Sequence, residues 1–309
     1  MDNGMSGELP LFQVVKNLCA ELSPKYGDGE AKAMVRIIFE NLKGWSPVDM
    51  AIKATEPVSE YIMGKLDAVV GRLMTDEPIQ YIFGNAGFYG MKLRVTPDVL
   101  IPRPETAELV DWIVDDNGTR KDVQVLDMGT GSGCIAIALK RNLPFADVTA
   151  IDNSEPALKV AESNSQALNA DVNYRLCDIL SLAANVPAAL SGTFGIIVSN
   201  PPYIAEHERA AMEANVLQHE PHQALFVPDS DPLEFYRAIL QYAHSHLDAS
   251  GAVYFEINPL YVKELEALAW NTGFRNVEVR RDSFGKERFM KICSVSYTHL
   301  RAHETRRHL

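Results

Sequence analysis

The sequence predicts an α/β fold, a mostly parallel sheet with helices on both faces, behind a small helical N-terminal domain. Three observations predict it. From residue 123 onward short apolar runs alternate with helical patterns: VQVLDM at 123, VTAID at 148, VNYRL at 172, GIIVSN at 195, AVYFEI at 252 and RFMKIC at 288. Strands separated by helices in this way form a sheet covered on both sides. Between Leu11 and Met74, in contrast, apolar residues recur at helical spacing. Finally, a glycine-rich turn lies directly between the first strand of the alternation and the helix after it. Ligands of such sheets bind at the carboxyl ends of the strands.

The helical domain is expected over residues 1–76. Ala33, Val35, Ile37, Ile38 and Leu42 form one apolar series, and Ile62, Leu66, Val69, Val70 and Leu73 another. Ser46-Pro47 followed by Asp49 predicts a capped helix start, and Ser59 a second. The texture changes at Glu77-Pro78. Tyr81 to Val95 carries Gly84, Gly87 and Gly90 among aromatics and ends in alternation of period two, which predicts a β-hairpin inside a linker over 77–104. A helix over Ala107 to Val114 opens the large domain, 105–295. Residues 296–309 crowd His and Arg in a composition unlike the rest, so this stretch is read as a non-native tail and its three histidines are given no role as metal ligands.

Composition excludes several classes. A formal charge of −12 opposes a protein that grips nucleic acid through a broad basic face, because phosphate binding rests on clustered Lys and Arg. Cys19, Cys134, Cys177 and Cys293 form no CxxC pair, which suggests neither zinc nor a disulfide framework and fits a reducing cytoplasm. No export signal or uninterrupted apolar run of membrane-spanning length is evident. A soluble monomer is expected.

Asp127-Met128-Gly129-Thr130-Gly131-Ser132-Gly133 follows the first strand and opens the helix Cys134 to Arg141. Its alternate glycines let the backbone turn tightly and approach a ligand, with helix-terminal N–H groups pointing at it. The spacing is GxGxG, not the GxGxxG of a dinucleotide site. The closer reading is a loop for S-adenosylmethionine, whose zwitterionic methionine part suits backbone amides and a nearby carboxylate such as Asp127. Asp152 closes the second strand about 20 residues later, where a carboxylate can accept from both ribose hydroxyls. Asp178 follows the third strand; it either takes the adenine amino group, with Ile179 packed on the ring, or caps the next turn.

Asn200-Pro201-Pro202-Tyr203 ends the strand GIIVS. Asn offers an acceptor and two donors, and consecutive prolines leave carbonyls free as rigid acceptors. Such a cluster fits a planar NH₂ group. A nitrogen conjugated to a carbonyl or a ring is a poor nucleophile, so it must be oriented toward the methyl donor, with acceptors that stabilise the charge developing on it. Asn200 and the Pro201 carbonyl would orient it, and Tyr203 would stack on the planar group. In the segment Ile101 to Thr106, prolines flank Arg103, whose alternatives are to anchor substrate or to pair with Glu105; from the residues alone it reads as structural. His219-Glu220-Pro221-His222 reads as a buried loop beneath the site rather than a metal centre.

With these residues in view, the chain resembles the release factor glutamine N5-methyltransferase family over nearly its whole length before the tail. The resemblance rests on EPIQYIFG at 77, FYGMKLRVTPDVLIPRPET at 88, LDMGTGSG at 126, AID at 150, SNPPYI at 199 and Glu220 to Leu225. It implies a Rossmann-like S-adenosylmethionine-dependent methyltransferase fold with a mostly parallel seven-stranded sheet, and an N-terminal domain that helps to dock a class I peptide chain release factor. It implies methylation of the glutamine in that factor's GGQ motif. Position by position, Gly129 to Gly133, Asp152 and Ile179 would contact the cofactor. Asn200, Pro201, Pro202 and Tyr203 would hold the glutamine, with Asn200 touching both. The chain departs from the family after Glu256, where many relatives have an EIG..Q pattern and this one has Glu256-Ile257-Asn258-Pro259. At 179 some relatives carry an aromatic, so Ile179 would supply apolar packing instead.

The alternative is a DNA adenine-N6 methyltransferase, since an exocyclic amino group resembles a carboxamide NH₂. Such an enzyme must flip a base out of a basic cleft, and the acidic charge opposes it. A protein that keeps the fold for binding alone has no need of the Asn200 cluster.

Overall fold

The computed structural model describes residues 9–294. The tail expected over 296–309 lies outside them. The described residues fall into two units, one running to Gly84 and including Glu213–His219, the other comprising Asn85–Met212 and the chain from Glu220 onward.

In the first unit α1 (Leu11–Lys43) is interrupted at Gly27, whose φ of 80° and ψ of 159° break the helical path, and it contains Pro24 just before the break. On either side the buried residues follow helical spacing, Leu11, Val14, Leu18 and Leu22, then Ala31, Met34, Val35, Ile38 and Phe39. They pack with Ile62, Leu66, Val69, Val70 and Leu73 of α3 (Glu60–Leu73) in one core. Between them α2 (Pro47–Ile52) starts on a capping box in which the Ser46 and Asp49 side chains each take the other's backbone N–H. Ser59 stands at the start of α3 but makes no capping bond. A fourth helix, α4 (Ile79–Phe83), occupies part of the segment expected as hairpin. Pro78 before it and left-handed Gly84 after it supply a helix start and stop, so the aromatic pattern at Tyr81 and Phe83 belongs to a helical turn.

The hairpin itself is β1 (Asn85–Phe88) and β2 (Met91–Arg94), joined through Tyr89 and Gly90. Phe88, Met91 and Leu93 are buried in the same core as α5 (Pro104–Asn117). Then follow β3 (Gln124–Met128), α6 (Cys134–Asn142), β4 (Asp147–Asp152), α7 (Glu155–Leu168), β5 (Val172–Leu176), β6 (Phe194–Ser199), β7 (Ile204–Ala205), α8 (Ala214–His219), β8 (Phe226–Val227), α9 (Glu234–His246), β9 (Leu247–Glu256), α10 (Val262–Asn271), β10 (Asn276–Arg281) and β11 (Glu287–Cys293).

The seven-stranded sheet has the order β10-β11-β9-β6-β3-β4-β5, parallel from β9 to β5, with β11 antiparallel to both of its neighbours. Two separate apolar cores contain sheet residues. One gathers Leu126, Ile197, Val253 and Phe255 with α9 and α10, the other Val125, Ile196, Val198 and Tyr254 with α5 and α6. Consecutive strand residues thus point into opposite cores, which is why most of β6 and of the end of β9 read as apolar runs. From β3 the chain winds outward through β4 and β5, then returns to β6 on the other side of β3. That reversal opens a crevice at the carboxyl ends of β3 and β6. No helix among the described residues is long and apolar enough to cross a membrane, and none of their His, Cys, Asp and Glu side chains cluster as a metal site.

Candidate active site

The crevice holds a cleft lined by Gly129, Thr130, Gly131, Ser132, Asp152, Asp178, Ile179, Asn200 and Pro202, together with Arg103, Thr106 and Cys134. Its floor is set by main-chain bonds. Gly129 and Thr130 donate their N–H groups to the Ile151 carbonyl at 2.9 and 3.0 Å, which fastens the glycine loop to the end of β4. Asp152 completes the attachment: Oδ2 accepts from Gly131 N at 2.9 Å and Oδ1 from Ser154 N at 2.9 Å. Asp152 therefore shapes the loop while still facing the cleft. Ser154 caps α7 by accepting from Ala157 N. Asp178 lines the cleft, and its Oδ1 accepts from Leu180 N at 3.0 Å to cap the next turn.

Gly133 does not line the cleft. A Cβ there would lie 2.9 Å from Tyr174 Oη and 3.1 Å from both Ala161 Cβ and Ile137 Cδ1, at a φ of +81°. Glycine at this position lets the start of α6 pack against β5 and α7. Beneath the loop, Asp127 is fully buried; Oδ2 accepts from Thr130 Oγ1 at 2.7 Å, and Oδ1 has no hydrogen-bond partner among the described residues. Burial pushes its carboxyl up to about 7, against the lowering effect of the Thr130 hydroxyl. Ser132 Oγ is likewise buried without a geometric partner among the described residues, beside the Cys134 thiol. Ser132 lines the cleft while Asp127 lies beneath the lining, and buried polar atoms of this kind suit a ligand bearing an ammonium and a carboxylate. The Cys134 thiol is pushed up to about 12 by burial, so it stays protonated and is no nucleophile.

Opposite the glycine loop, Ser199 Oγ donates to the Met128 carbonyl at 2.6 Å, tying the residue before Asn200 to the residue before Gly129. Asn200 Nδ2 donates to Thr106 Oγ1 at 3.3 Å, and Thr106 Oγ1 donates to Glu256 Oε2 at 2.7 Å. Tyr203 Oη donates to the other oxygen, Glu256 Oε1, at 3.0 Å. Pro201 is buried, and neither it nor Tyr203 lines the cleft; the Tyr203 hydroxyl is turned to Glu256 and its ring packs at the edge of the α9 core. Burial and the adjacent Glu256 charge raise the Tyr203 hydroxyl well above its ordinary range, so it remains a donor. Arg103 pairs with Glu220 at 2.6 Å, not with Glu105, and Glu220 Oε2 also accepts from Ile101 N. The His219–His222 segment thus contributes a buried carboxylate that clamps the Ile101–Thr106 strand of chain along the cleft rim.

A curated relative, the release factor glutamine methyltransferase of Bacteroides thetaiotaomicron, is 45% identical over 266 residues, covering 86% of this chain and 93% of the relative. The chain belongs to the release factor glutamine methyltransferase family. A second relative with the same description, from Flavobacterium psychrophilum, is 38% identical over 274 residues, covering 88% and 94%. A model described as the PrmC N-terminal domain matches residues 13–84, and one described as the methyltransferase small domain matches 107–226. Among solved structures, the T. thermophilus 16S rRNA N2 G1207 methyltransferase in complex with AdoMet and guanosine superposes with a TM-score of 0.50 at 17% identity, over 68% of this chain and 50% of that one; the likeness is one of fold.

Within this member of the release factor glutamine methyltransferase family, sequence reasoning missed Thr106, Glu220 and Glu256. A signal existed for Glu256, which ends an apolar strand as Asp152 does. The departure at Asn258 also has a structural meaning. Its Nδ2 donates to the Tyr203 carbonyl at 3.1 Å and to Glu208 Oε1 at 2.9 Å, while its Oδ1 accepts from Leu260 N. At this departure from the pattern the resemblance implies, the chain thus has a side chain that clamps the segment after Asn200.

Proposed function

We propose that the chain methylates the side-chain amide nitrogen of the glutamine in the GGQ motif of a class I peptide chain release factor, using S-adenosylmethionine, in the cytoplasm. The observation that carries this reading is that Asn200 and Pro202 line the same cleft as Gly129–Ser132, Asp152, Asp178 and Ile179. An amide-holding group and a nucleotide-type loop face one space. When bound, S-adenosylmethionine would supply a sulfonium methyl carbon for in-line attack by the amide nitrogen, the new N–C bond replacing the C–S bond to give, after loss of one amide proton, N5-methylglutamine and S-adenosylhomocysteine. Backbone amides of the glycine loop and the carboxylates of Asp127 and Asp152 would hold the methionine and ribose parts, and Ile179 would pack on the adenine. The Asn200 side-chain oxygen and the Pro201 carbonyl would accept from the two amide hydrogens, aligning the nitrogen and stabilising the positive charge that grows on it. Tyr203 acts from behind, holding Glu256. The amide sheds its proton after transfer, so no side chain in the cleft need act as a base.

Transfer of labelled methyl to a purified class I release factor tests this, with a factor lacking the GGQ glutamine and duplex DNA as parallel substrates. Label is expected on the intact factor alone. Label on DNA alone, or equal label on the factor without the glutamine, overturns the proposal.

A further inference from the structure

Thr106, Glu256 and Asn200 come from α5, the end of β9 and the turn after β6, and they meet in a chain of hydrogen bonds from the cleft wall into the protein interior. Glu256 is 2% exposed and Thr106 is 2% exposed. Each carboxylate oxygen of Glu256 receives a hydroxyl, Thr106 on Oε2 and Tyr203 on Oε1, while Tyr236 Oη donates to its backbone carbonyl at 2.9 Å. Burial raises the Glu256 carboxyl above its ordinary range, while the Thr106 and Tyr203 hydroxyls and the Arg288 charge act the other way and favour the ionised, acceptor-only form. A threonine hydroxyl carries a single proton, and that of Thr106 is committed to Glu256. Toward Asn200, therefore, Thr106 can only accept.

We infer that Thr106 and Glu256 are positioning residues that fix which way the Asn200 carboxamide faces, holding its NH₂ against Thr106 and leaving Oδ1 as the acceptor for the substrate's NH₂. The inference rests on the glutamine-amide chemistry proposed above. An asparagine amide has nearly the same shape after a half turn about its last bond, so packing alone discriminates poorly between the two orientations. Turned the wrong way, Asn200 would present NH₂ to NH₂ and oppose the attacking nitrogen. The buried carboxylate removes that orientation by dictating the donor sense of the whole chain. This also gives the threonine of the Ile101–Thr106 segment a specific part, since it hydrogen-bonds both Asn200 and Glu256.

The test combines side-chain amide NMR with kinetics. In the wild-type protein without substrate, the Asn200 side-chain NH₂, assigned by its loss in Asn200→Ala, should show a hydrogen-bonded proton protected from solvent exchange. Thr106→Val keeps the shape but removes the acceptor. It should abolish that protection and lower kcat roughly 10- to 100-fold, the scale of one oriented hydrogen bond, with S-adenosylmethionine affinity changed by no more than about threefold. Thr106→Ser restores the hydroxyl, and should recover the protection and most of the rate. A wild-type NH₂ in free exchange overturns the inference without any variant. So does a Thr106→Val protein that keeps the wild-type signal and rate, or a Thr106→Ser protein impaired as deeply as Thr106→Val. The NMR arm needs no methyl acceptor: if no release factor is methylated at all, the glutamine chemistry fails while the orientation of Asn200 is still decided.

Discussion

On the glycine-loop wall of the cleft, the bonds that fasten the loop to β4 all lie between Gly129 and Ser154, and each is donated by a backbone N–H. On the facing wall, Asn200 depends on Thr106 and Glu256, 94 residues before it and at the end of a strand far beyond it. The first wall is a local product of β3, β4 and the turn joining β3 to α6. The second exists only when three distant elements have docked. Backbone bonds tolerate side-chain substitution, whereas a relay of three side chains loses its sense if one is replaced. Cofactor binding should therefore be separable from catalysis by mutation.

The largest effect is expected at the relay's end. Asn200→Ala should lower kcat by roughly 10²- to 10³-fold, read in single-turnover methyl transfer, and a loss below about tenfold would show that another group holds the nitrogen. Asp152→Ala attacks the other wall. It orphans the Gly131 and Ser154 amides as well as removing the expected ribose acceptor, so S-adenosylmethionine affinity should fall by about 10- to 100-fold, with kcat at saturation nearly kept. Equal losses in both parameters would erase the distinction between the walls.

Asp127 sharpens the comparison through pH. Because burial raises its folded pKa to about 7, its contribution to folding stability is fully present below the ordinary carboxylate range and is lost as pH rises through about 7. A cationic ligand group favours the ionised carboxylate, so affinity should move the opposite way, rising up to about tenfold per pH unit and levelling above about 7. Calorimetric titration from pH 5.5 to 8.5 checks this, and Asp127→Asn should flatten the profile. The smallest effect is expected at Asn258→Gly, which removes the clamp on Tyr203 and Glu208. Stability should drop by about 1 kcal/mol, measured from the denaturant midpoint, with little change in cofactor affinity.

The same contrast explains what could be read from sequence. The alternating strands, the helical domain and the glycine loop were legible because each is encoded by neighbouring residues. The alternation pattern also placed Asp152 and Asn200 correctly at strand ends. At Tyr81–Phe83, one turn of α4 was mistaken for the start of the hairpin, since glycines and aromatics serve helix stops and strands alike. Gly133 fitted the loop pattern, and glycine there also admits Tyr174, Ala161 and Ile137, a packing constraint that no local motif displays. Thr106, Glu220 and Glu256 stayed hidden for a different reason. A lone threonine or glutamate carries no signal until tertiary structure supplies its partner, and each finds that partner more than 90 residues away.

The most direct test of the central claim is to locate the transferred methyl group by fragmentation mass spectrometry of a release factor treated with the wild-type protein and, in parallel, with Asn200→Ala. A single methyl on the glutamine amide nitrogen, strongly diminished with the variant, is the predicted result. A methyl on any other residue, or the same yield from both proteins, would contradict the account.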